Sequence, residues 1–187
     1  MNLITTTFRV RRIEKQDETR WRHLWDIYTR FYNREPIEIV TWSTWTRIMD
    51  PVTPLHAIVA EKVNGENAEI VGIANYTIQD NTSFVSPSCY LADLIVEEDH
   101  RGLGVGGLLI DWLLAEMKEK KWARLYWHTR ENNYRARALY DKFTPHSGFL
   151  RYAIEDSAAA VAVEENEDRP RSLGSQCSSE RCRRYSS

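Results

Sequence analysis

The chain has 187 residues, of which 42% are hydrophobic and 28% are charged, and its formal net charge is -2. This length and composition predict one soluble globular domain and exclude collagen-like, transmembrane and wholly disordered proteins. Because proteins that bind a phosphate backbone usually carry a basic surplus, the charge balance also argues against a nucleic-acid partner.

The N-terminal part of the chain predicts one strand and two helices. Phe8 to Ile13 alternates apolar and charged residues, as an edge strand does. From Glu18 to Tyr32 the apolar residues recur at spacings of three and four, which predicts an amphipathic helix with Asp17 as its N-cap. A second, shorter helix is predicted after Pro36, and Pro51 stops it.

The middle of the chain predicts three strands. Leu55 to Val63 and Glu69 to Gln79 are rich in β-branched and apolar residues, and they flank Asn64-Gly65-Glu66-Asn67. Because Asn-Gly favours the positive backbone angles of a tight turn, these two strands are predicted to form an antiparallel hairpin. The apolar run Cys89 to Val96 predicts a buried fourth strand, with Cys89 inside it.

The next part of the chain predicts two helices and two strands. Gly102 to Gly107 opens a helix that ends in lysines, which suit the negative end of a helix. Trp122 to His128 predicts a fifth strand, Asn133 to Phe143 a helix, and Gly148 to Ile154 a last strand. The predicted order is therefore β, α, α, β, β, β, α, β, α, β.

Residues 156–187 contain an alanine run, an acidic patch and a Ser/Arg-rich end with almost no large apolar residue. Such a segment cannot offset its own ordering entropy, so we predict a folded domain over residues 1–155 and a disordered tail over 156–187. The three cysteines match no disulfide framework, and the N-terminus does not resemble a signal peptide. We expect a reducing compartment, either the cytoplasm or the nucleus, and no membrane partner.

The glycine-rich segment Arg101 to Gly107 lies between a predicted buried strand and a predicted helix. Glycine there lets backbone N–H groups converge on an anion at the helix N-terminus, as a phosphate cradle requires. A Walker loop is excluded because no Gly-Lys-Ser/Thr follows. A dinucleotide fingerprint is disfavoured because Lys121 and Trp122 stand where its acidic residue would be. A tight turn without a ligand would not need so many glycines.

Three motifs occur in order in this part of the chain: Asp93-Leu94-Ile95-Val96, then Arg101-x-x-Gly104-x-Gly106, then Asn133-x-x-Ala136-x-x-Leu139-Tyr140. Together they resemble the strand-four, pyrophosphate and fourth-helix motifs of the GNAT superfamily of N-acetyltransferases. Shorter sequence matches within this region, such as Tyr126-Trp127-x-Thr129, are similar to those of the fungal subgroup of histone-and-other-protein acetyltransferases. The resemblance spans about residues 8–154 and implies self-association as a dimer or higher oligomer.

The resemblance implies an α/β (α+β) fold with a mixed, mostly antiparallel sheet, splayed between strands four and five and flanked by about four helices. It also implies acetyl-CoA as co-substrate and no metal. The loop amides would bind the pyrophosphate, the strand-four backbone would pair with the pantetheine arm, and a backbone N–H near Ile95 would face the thioester oxygen. The implied acetyl-CoA-binding residues are Leu94, Ile95, Val96, Arg101, Gly102, Leu103, Gly104, Val105, Gly106, Gly107 and Asn133.

The reaction needs two proton-transfer groups, an acid and a base. Departure of a thiolate benefits from an acid, and Tyr140, which the resemblance places beside the sulfur, stays protonated at neutral pH. Polyamine acetyltransferases carry a glutamate just before the strand-four Asp-Leu, whereas this chain has Ala92, so the base must be another group. Asp93, Glu97 and a water chain are the candidates, and we favour Asp93. The alternative interpretations are that Tyr140 is a core residue and that the Asp93 carboxylate serves a neighbouring loop.

The acceptor and two other function classes stay open at this point. A small amine, amino acid or polyamine fits the resemblance, and so does a lysine of a protein such as a histone. The tryptophans at 21, 25, 42 and 45 are either a wall of the acceptor site or core residues. No histidine, cysteine or acidic cluster has metal-ligand spacing. A non-catalytic acetyl-CoA-binding module and an oxidoreductase that uses the glycine loop are the other hypotheses.

Overall fold

The computed structural model describes residues 7–155, which form a five-stranded sheet with helices packed on both faces. The strands are β1 (Thr7–Arg12), β2 (Leu55–Asn64), β3 (Asn67–Gln79), β4 (Ser88–Val96) and β5 (Arg124–Trp127). The helices are α1 (Glu18–Phe31), α2 (Glu38–Met49), α3 (Val105–Lys120) and α4 (Tyr134–Tyr140). Strands β1 to β4 pair antiparallel in chain order, and β5 pairs parallel with β4. The mixed, mostly antiparallel sheet and its four helices confirm the predicted fold class.

The core has two layers, because alternate residues of each central strand face opposite sides of the sheet. On one side, α3 packs Leu109 and Leu113 against the sheet, where Cys89 is fully buried as predicted. On the other side, α1 and α2 bring Trp21 and Trp45 against it. None of the helices within residues 7–155 combines the length and apolarity needed to cross a bilayer.

The hairpin between β2 and β3 is antiparallel, as predicted, but only half of its predicted turn chemistry is correct. Asn64 pairs with Asn67, so Gly65 and Glu66 form the loop. Gly65 has a φ of 61°, whereas Asn64 is not among the residues with positive φ. Asn64 belongs to the last pair of the ladder, where an extended backbone is required, so glycine alone supplies the left-handed angle.

A bulge in β4 decides which way its side chains point. Asn75 of β3 pairs with Asp93, and the next residue, Tyr76, pairs with Leu91, so Ala92 is the extra residue. Leu91 packs on the α3 side of the sheet. After the bulge the alternation is reversed, and Ile95 joins the cluster on the α1 side. The bulge therefore directs Asp93 to the face that α1 covers.

The sheet splays where β4 and β5 separate. Their parallel pairing involves only Ser88 to Leu91 of β4 and Arg124 to Trp127 of β5. From Ala92 onward, β4 pairs with β3 on one edge and with no described strand on the other. The predicted splay between strands four and five is confirmed.

The last predicted strand, Gly148 to Ile154, is wrong: no strand forms there, and the side chains of Phe149 and Tyr152 are 87% and 89% exposed. An alternating apolar pattern measures only strand propensity, whereas a strand exists through hydrogen bonds to a neighbour, and no described strand pairs with this segment. The predicted tail, residues 156–187, lies outside the described residues.

Two smaller boundaries and one capping contact also differ from the prediction. The fifth strand begins at Arg124 rather than Trp122, because Lys121 (φ 57°) ends α3 and the Trp122 N–H donates to the Met117 carbonyl. Helix α4 ends at Tyr140, before the predicted Phe143. Asp17 is at the N-cap position of α1 but makes no capping hydrogen bond to it, because its carboxylate binds Arg11 and the Glu14 N–H instead.

Candidate active site

The glycine loop before α3 uses its glycines for two different reasons. Gly102 and Gly104 have φ values of 83° and 87°, a backbone region that side-chain-bearing residues rarely adopt. Gly106 has an ordinary φ, but a Cβ there would lie 3.0 Å from the Leu139 Cδ2 atom of α4. The loop therefore needs glycine for conformation at its start and for helix packing at its end.

The N-terminus of α3 presents free backbone donors. Gly104 is the N-cap, and the first backbone hydrogen bond in this turn runs from the Leu108 N–H to the Gly104 carbonyl at 3.1 Å. The amides of Gly104 to Gly107 precede that bond and lack an intrahelical acceptor. Their dipoles favour an anion, and no Cβ at Gly104 crowds the approach. The turn fits a phosphate group.

Arg101 joins this loop to the end of β4. Its Nε atom donates to the Val96 carbonyl at 2.8 Å, and its Nη1 atom lies 4.0 Å from a Glu98 carboxylate oxygen. The side chain is 20% exposed. Arg101 therefore holds the strand end against the loop and adds a positive charge beside the amides of α3.

The backbone of β4 beyond the bulge is available on the splayed edge. The Glu97 N–H donates to Val71 of β3 at 2.9 Å, so the Val96 carbonyl of the same peptide points away from β3. Because this direction alternates along a strand, Leu94 and Val96 present their N–H and C=O groups to the open edge, and Ile95 faces β3. The Ile95 side chain is buried. The available amides nearest to Ile95 are those of Leu94 and Val96.

Asp93 lies in a hydrogen-bond network with neutral donors. The Asn75 amide nitrogen donates to the Asp93 carboxylate at 3.1 Å, and Trp21 Nε1 donates to the Asn75 amide oxygen at the same distance. Asn75 and Trp21 are fully buried. Burial raises the pKa of Asp93, although donors and the charge of Arg34 oppose the increase. Asp93 is thus a carboxylate whose proton affinity is increased.

Tyr28 of α1 closes this site from above the sheet. Its hydroxyl donates to the Ala92 carbonyl at 3.4 Å, at the bulge itself. Burial and the neighbouring Asp93 carboxylate raise the pKa of Tyr28. Its ring contacts Trp25 and Tyr32, with centroids 5.6 and 5.0 Å apart. An aromatic wall therefore extends along α1 from the bulge to the end of the helix.

Tyr140 lies at the end of α4, on the β5 side of the splay. Its ring centroid is 5.2 Å from that of Trp127. Burial raises the pKa of Tyr140 to about 12. The hydroxyl forms no hydrogen bond to any residue from 7 to 155. It is therefore protonated at neutral pH and available to a ligand.

Asn133 caps the helix that carries Tyr140. Its side-chain oxygen accepts a hydrogen bond from the Ala136 N–H at 3.3 Å, which satisfies one of the free amides of the first turn. The amide nitrogen is left as a donor. Nearby in sequence, the Thr129 hydroxyl is buried without a partner in the described structure, as expected of a polar atom that meets a ligand or water.

Glu97, the other carboxylate considered as a base, is held elsewhere. Its carboxylate lies 2.5 Å from Arg20 and 3.6 Å from His23. These contacts place Glu97 in an ion-pair cluster just beyond the end of β4. The bulge and Asp93 are separate from this ion-pair cluster.

The structure adds residues that the sequence patterns did not assign to the site. Asn75 was missed, although a single amide inside the apolar run of β3 was a signal. Trp21 and Trp45 are buried core residues, Trp25 is half-buried and Trp42 is 52% exposed, so the tryptophans do not form one wall. Within residues 7–155, no group of three or more His, Cys, Asp or Glu side chains could hold a metal ion.

Comparisons with known proteins agree on one family. The model of the acetyltransferase (GNAT) family matches residues 18–144. The chain is similar to the D-amino-acid N-acetyltransferase HPA3 of Saccharomyces cerevisiae, with 34% identity over 134 residues that cover 71% of this chain and 81% of that protein.

Solved structures share the fold. A ribosomal-protein-alanine N-acetyltransferase from Brucella melitensis biovar Abortus 2308 has a TM-score of 0.64 and 19% identity, covering 80% of this chain and all of that one. AAC(6')-Iy, in complex with the bisubstrate analogue CoA-S-monomethyl-acetylneamine, has a TM-score of 0.65 and 17% identity, covering 80% of this chain and 99% of that one. At such identities the likeness concerns the fold alone.

Proposed function

The chain belongs to the GNAT family of acetyltransferases and is an N-acetyltransferase, and we propose that it transfers the acetyl group of acetyl-CoA to the primary amine of a small molecule by direct attack in a ternary complex. One observation carries the proposal. Beyond Ala92, β4 has an open edge, carries Asp93 and leads to the loop whose amides begin α3, while Tyr140 packs on Trp127 of β5 across the splay.

The residues that would hold acetyl-CoA fit its chemistry. The amides of Gly104 to Gly107 and the charge of Arg101 suit a pyrophosphate. The N–H and C=O groups of Leu94 and the N–H group of Val96 suit an amide-containing arm that adds to the edge of β4. Asn133 contributes its free amide nitrogen. The co-substrate supplies an activated acetyl group, and membership of the GNAT family of acetyltransferases supports its use.

Each step of the acetyl transfer can be assigned to a residue of this chain. Asp93 takes the proton of the attacking amine, directly or through water, because its increased pKa brings it closer to the working pH. The N–H groups of Leu94 and Val96 are the donors that can stabilise an oxyanion, and one such donor is typically worth about 2.7 to 4 kcal/mol. The Tyr140 hydroxyl donates a proton to the departing sulfur.

The acceptor class proposed first is a free amino acid or another small amine. The similarity to a D-amino-acid N-acetyltransferase supports a small acceptor. A polyamine and a lysine of a histone-like tail are the competing acceptors, and a direct comparison of rates separates them.

The test measures release of free CoA from acetyl-CoA by the purified full chain. The acceptor panel contains L- and D-amino acids, spermidine and a histone-tail peptide. Amine-dependent release by the wild type is expected, and Tyr140→Phe is expected to lower kcat about 10²- to 10⁴-fold, the usual range for loss of an acid–base group.

Tyr134→Phe is the matched control, because Tyr134 lies on the same helix with a side chain that is 73% exposed. Full activity of Tyr140→Phe would remove that residue from the mechanism. Absence of release with every acceptor, while acetyl-CoA still binds, would favour the non-catalytic module.

A further inference from the structure

Two arginines flank Tyr32 at the end of the aromatic wall of α1. The Arg130 guanidinium carbon lies 4.9 Å from the centre of the Tyr32 ring, and its Nη2 atom donates to the Tyr32 carbonyl at 3.4 Å. Arg34 follows two residues later, after Asn33 (φ 57°), and its N–H donates to the Thr29 carbonyl at 3.2 Å. The chain reversal at the end of α1 thus keeps Arg34 beside Tyr32.

Tyr32 and Tyr28 link this arginine pair to Asp93, the candidate base. Tyr32 contacts Tyr28, whose hydroxyl binds the Ala92 carbonyl next to Asp93. The positive charge of Arg34 acts on both buried groups and opposes the increase in the pKa of Asp93 and of Tyr28. Arg34 is therefore close enough to influence a ligand whose amine lies at Asp93.

Both arginines lack an acidic partner within residues 7–155, unlike several arginines of the neighbouring helix α1. Arg20 pairs with Glu97, and Arg30 pairs with Glu35 at 2.9 Å. Arg34 and Arg130 are exposed, and neither forms an ion pair with a described carboxylate. Two guanidinium groups without an ion-pair partner among these residues present donors suited to a carboxylate of a ligand.

We propose that Arg34 and Arg130 form a subsite for the carboxylate of the acceptor, so that the enzyme selects free amino acids over polyamines and lysine side chains. The inference rests on the proposed function and adds its substrate class. An α-carboxylate would bind the guanidinium groups, and because the α-amine is attached to the same carbon atom, its proton would reach Asp93 through water along Tyr28 and Tyr32. A polycationic acceptor would meet two like charges at the same place.

The test compares phenylalanine, phenylalaninamide and spermidine as acceptors, each at saturating acetyl-CoA. Phenylalaninamide keeps the side chain and amine but lacks the negative charge. For each acceptor, kcat/KM of Arg34→Gln, Arg130→Gln and the double variant is divided by the wild-type value, which cancels differences in amine reactivity. Arg30→Gln is the matched control, since it removes a guanidinium from the same helix end that Glu35 already neutralises.

With phenylalanine, each single variant is expected to lose about tenfold in kcat/KM and the double variant about a hundredfold, as for a charge-assisted hydrogen bond. With phenylalaninamide the variants should stay within about twofold of wild type, and with spermidine their activity should rise. Arg34→Lys should recover part of the loss, because it restores the charge without the planar fork.

Equal losses with phenylalanine and its amide would overturn the subsite, and so would a wild type that prefers spermidine. In both cases release of CoA would continue, and the N-acetyltransferase mechanism would stand. If the wild type releases CoA with none of the three acceptors, the proposed function is overturned, and the subsite with it.

Discussion

Within residues 7–155, the β1–β2 edge and the β4 bulge both shield carboxylates from water, and they do so with opposite partners. At the β1–β2 edge, Glu61 lies 2.6 Å from Arg9 and 2.7 Å from Arg11, and Asp17 also lies 2.7 Å from Arg11. Burial opposes ionisation of both acids, but the hydrogen bonds from the arginines outweigh it, so the pKa of each carboxyl lies below its ordinary value.

At the β4 bulge, burial also opposes ionisation of Asp93, but its hydrogen-bond donor is the neutral amide of Asn75, and the nearby Tyr28 hydroxyl is neutral too. The pKa of Asp93 is therefore raised. The contrast shows that the partner, and not burial alone, decides the role of a buried acid. A directly bonded guanidinium makes a structural ion pair, whereas neutral donors leave a group that can exchange a proton.

The largest expected effect comes from Asp93→Asn, which keeps the shape and removes the proton acceptor. We expect kcat to fall about a thousandfold, within the usual range for an acid–base group, while the free energy of unfolding stays the same or increases. Steady-state kinetics and urea denaturation check the two parts. A variant that keeps wild-type kcat and pH profile would show that Asp93 only supports the bulge.

The next largest effect is on stability and comes from Arg11→Gln. It leaves Asp17, with a side chain 6% exposed, and Glu61, 5% exposed, without their shared cation. We expect a loss of about 3 kcal/mol in the free energy of unfolding, because removing one partner strands buried charges.

Arg9→Gln is the control for this loss, since the Arg9 side chain is 61% exposed and a surface ion pair contributes about 1 kcal/mol or less. Urea denaturation at pH 7 measures both variants. Equal losses from Arg9→Gln and Arg11→Gln would contradict the distinction between the two cations.

The smallest expected effect is in the pH dependence of stability, where the two sites have opposite signs. The contribution of Glu61 and Asp17 is present above their ordinary pKa values of 4.5 and 3.8 and is lost as the pH falls through their lowered folded values. For Asp93, stability is greatest below 3.8 and is lost as the pH rises through its raised folded pKa.

Asp93→Asn should therefore gain stability relative to wild type as the pH rises from 4 to 8. Denaturation curves across that range measure the difference between the two proteins. A constant difference would mean that the folded pKa of Asp93 is not raised.

Local sequence patterns predicted most of the elements because each depends on neighbours in the chain. The spacing of apolar residues from Glu18 onward placed α1, and Gly65 marked the hairpin. The conformation of the glycine loop could be predicted because the positive φ values of Gly102 and Gly104 depend only on local residue type. The strand predicted at 148–154 failed because a strand needs a partner that no local pattern supplies.

For this protein, the sequence alone determined the family resemblance, the order of the elements up to α4 and the glycine-dependent conformation of the loop before α3. Only the tertiary structure decided that Ala92 is a bulge, that Asp93 consequently faces α1, and that Asn75 and Trp21 hold it there. The physical reason is register. The side-chain period of a strand is two, so one extra residue moves every later side chain to the other face, and pairing with β3 decides where that residue lies.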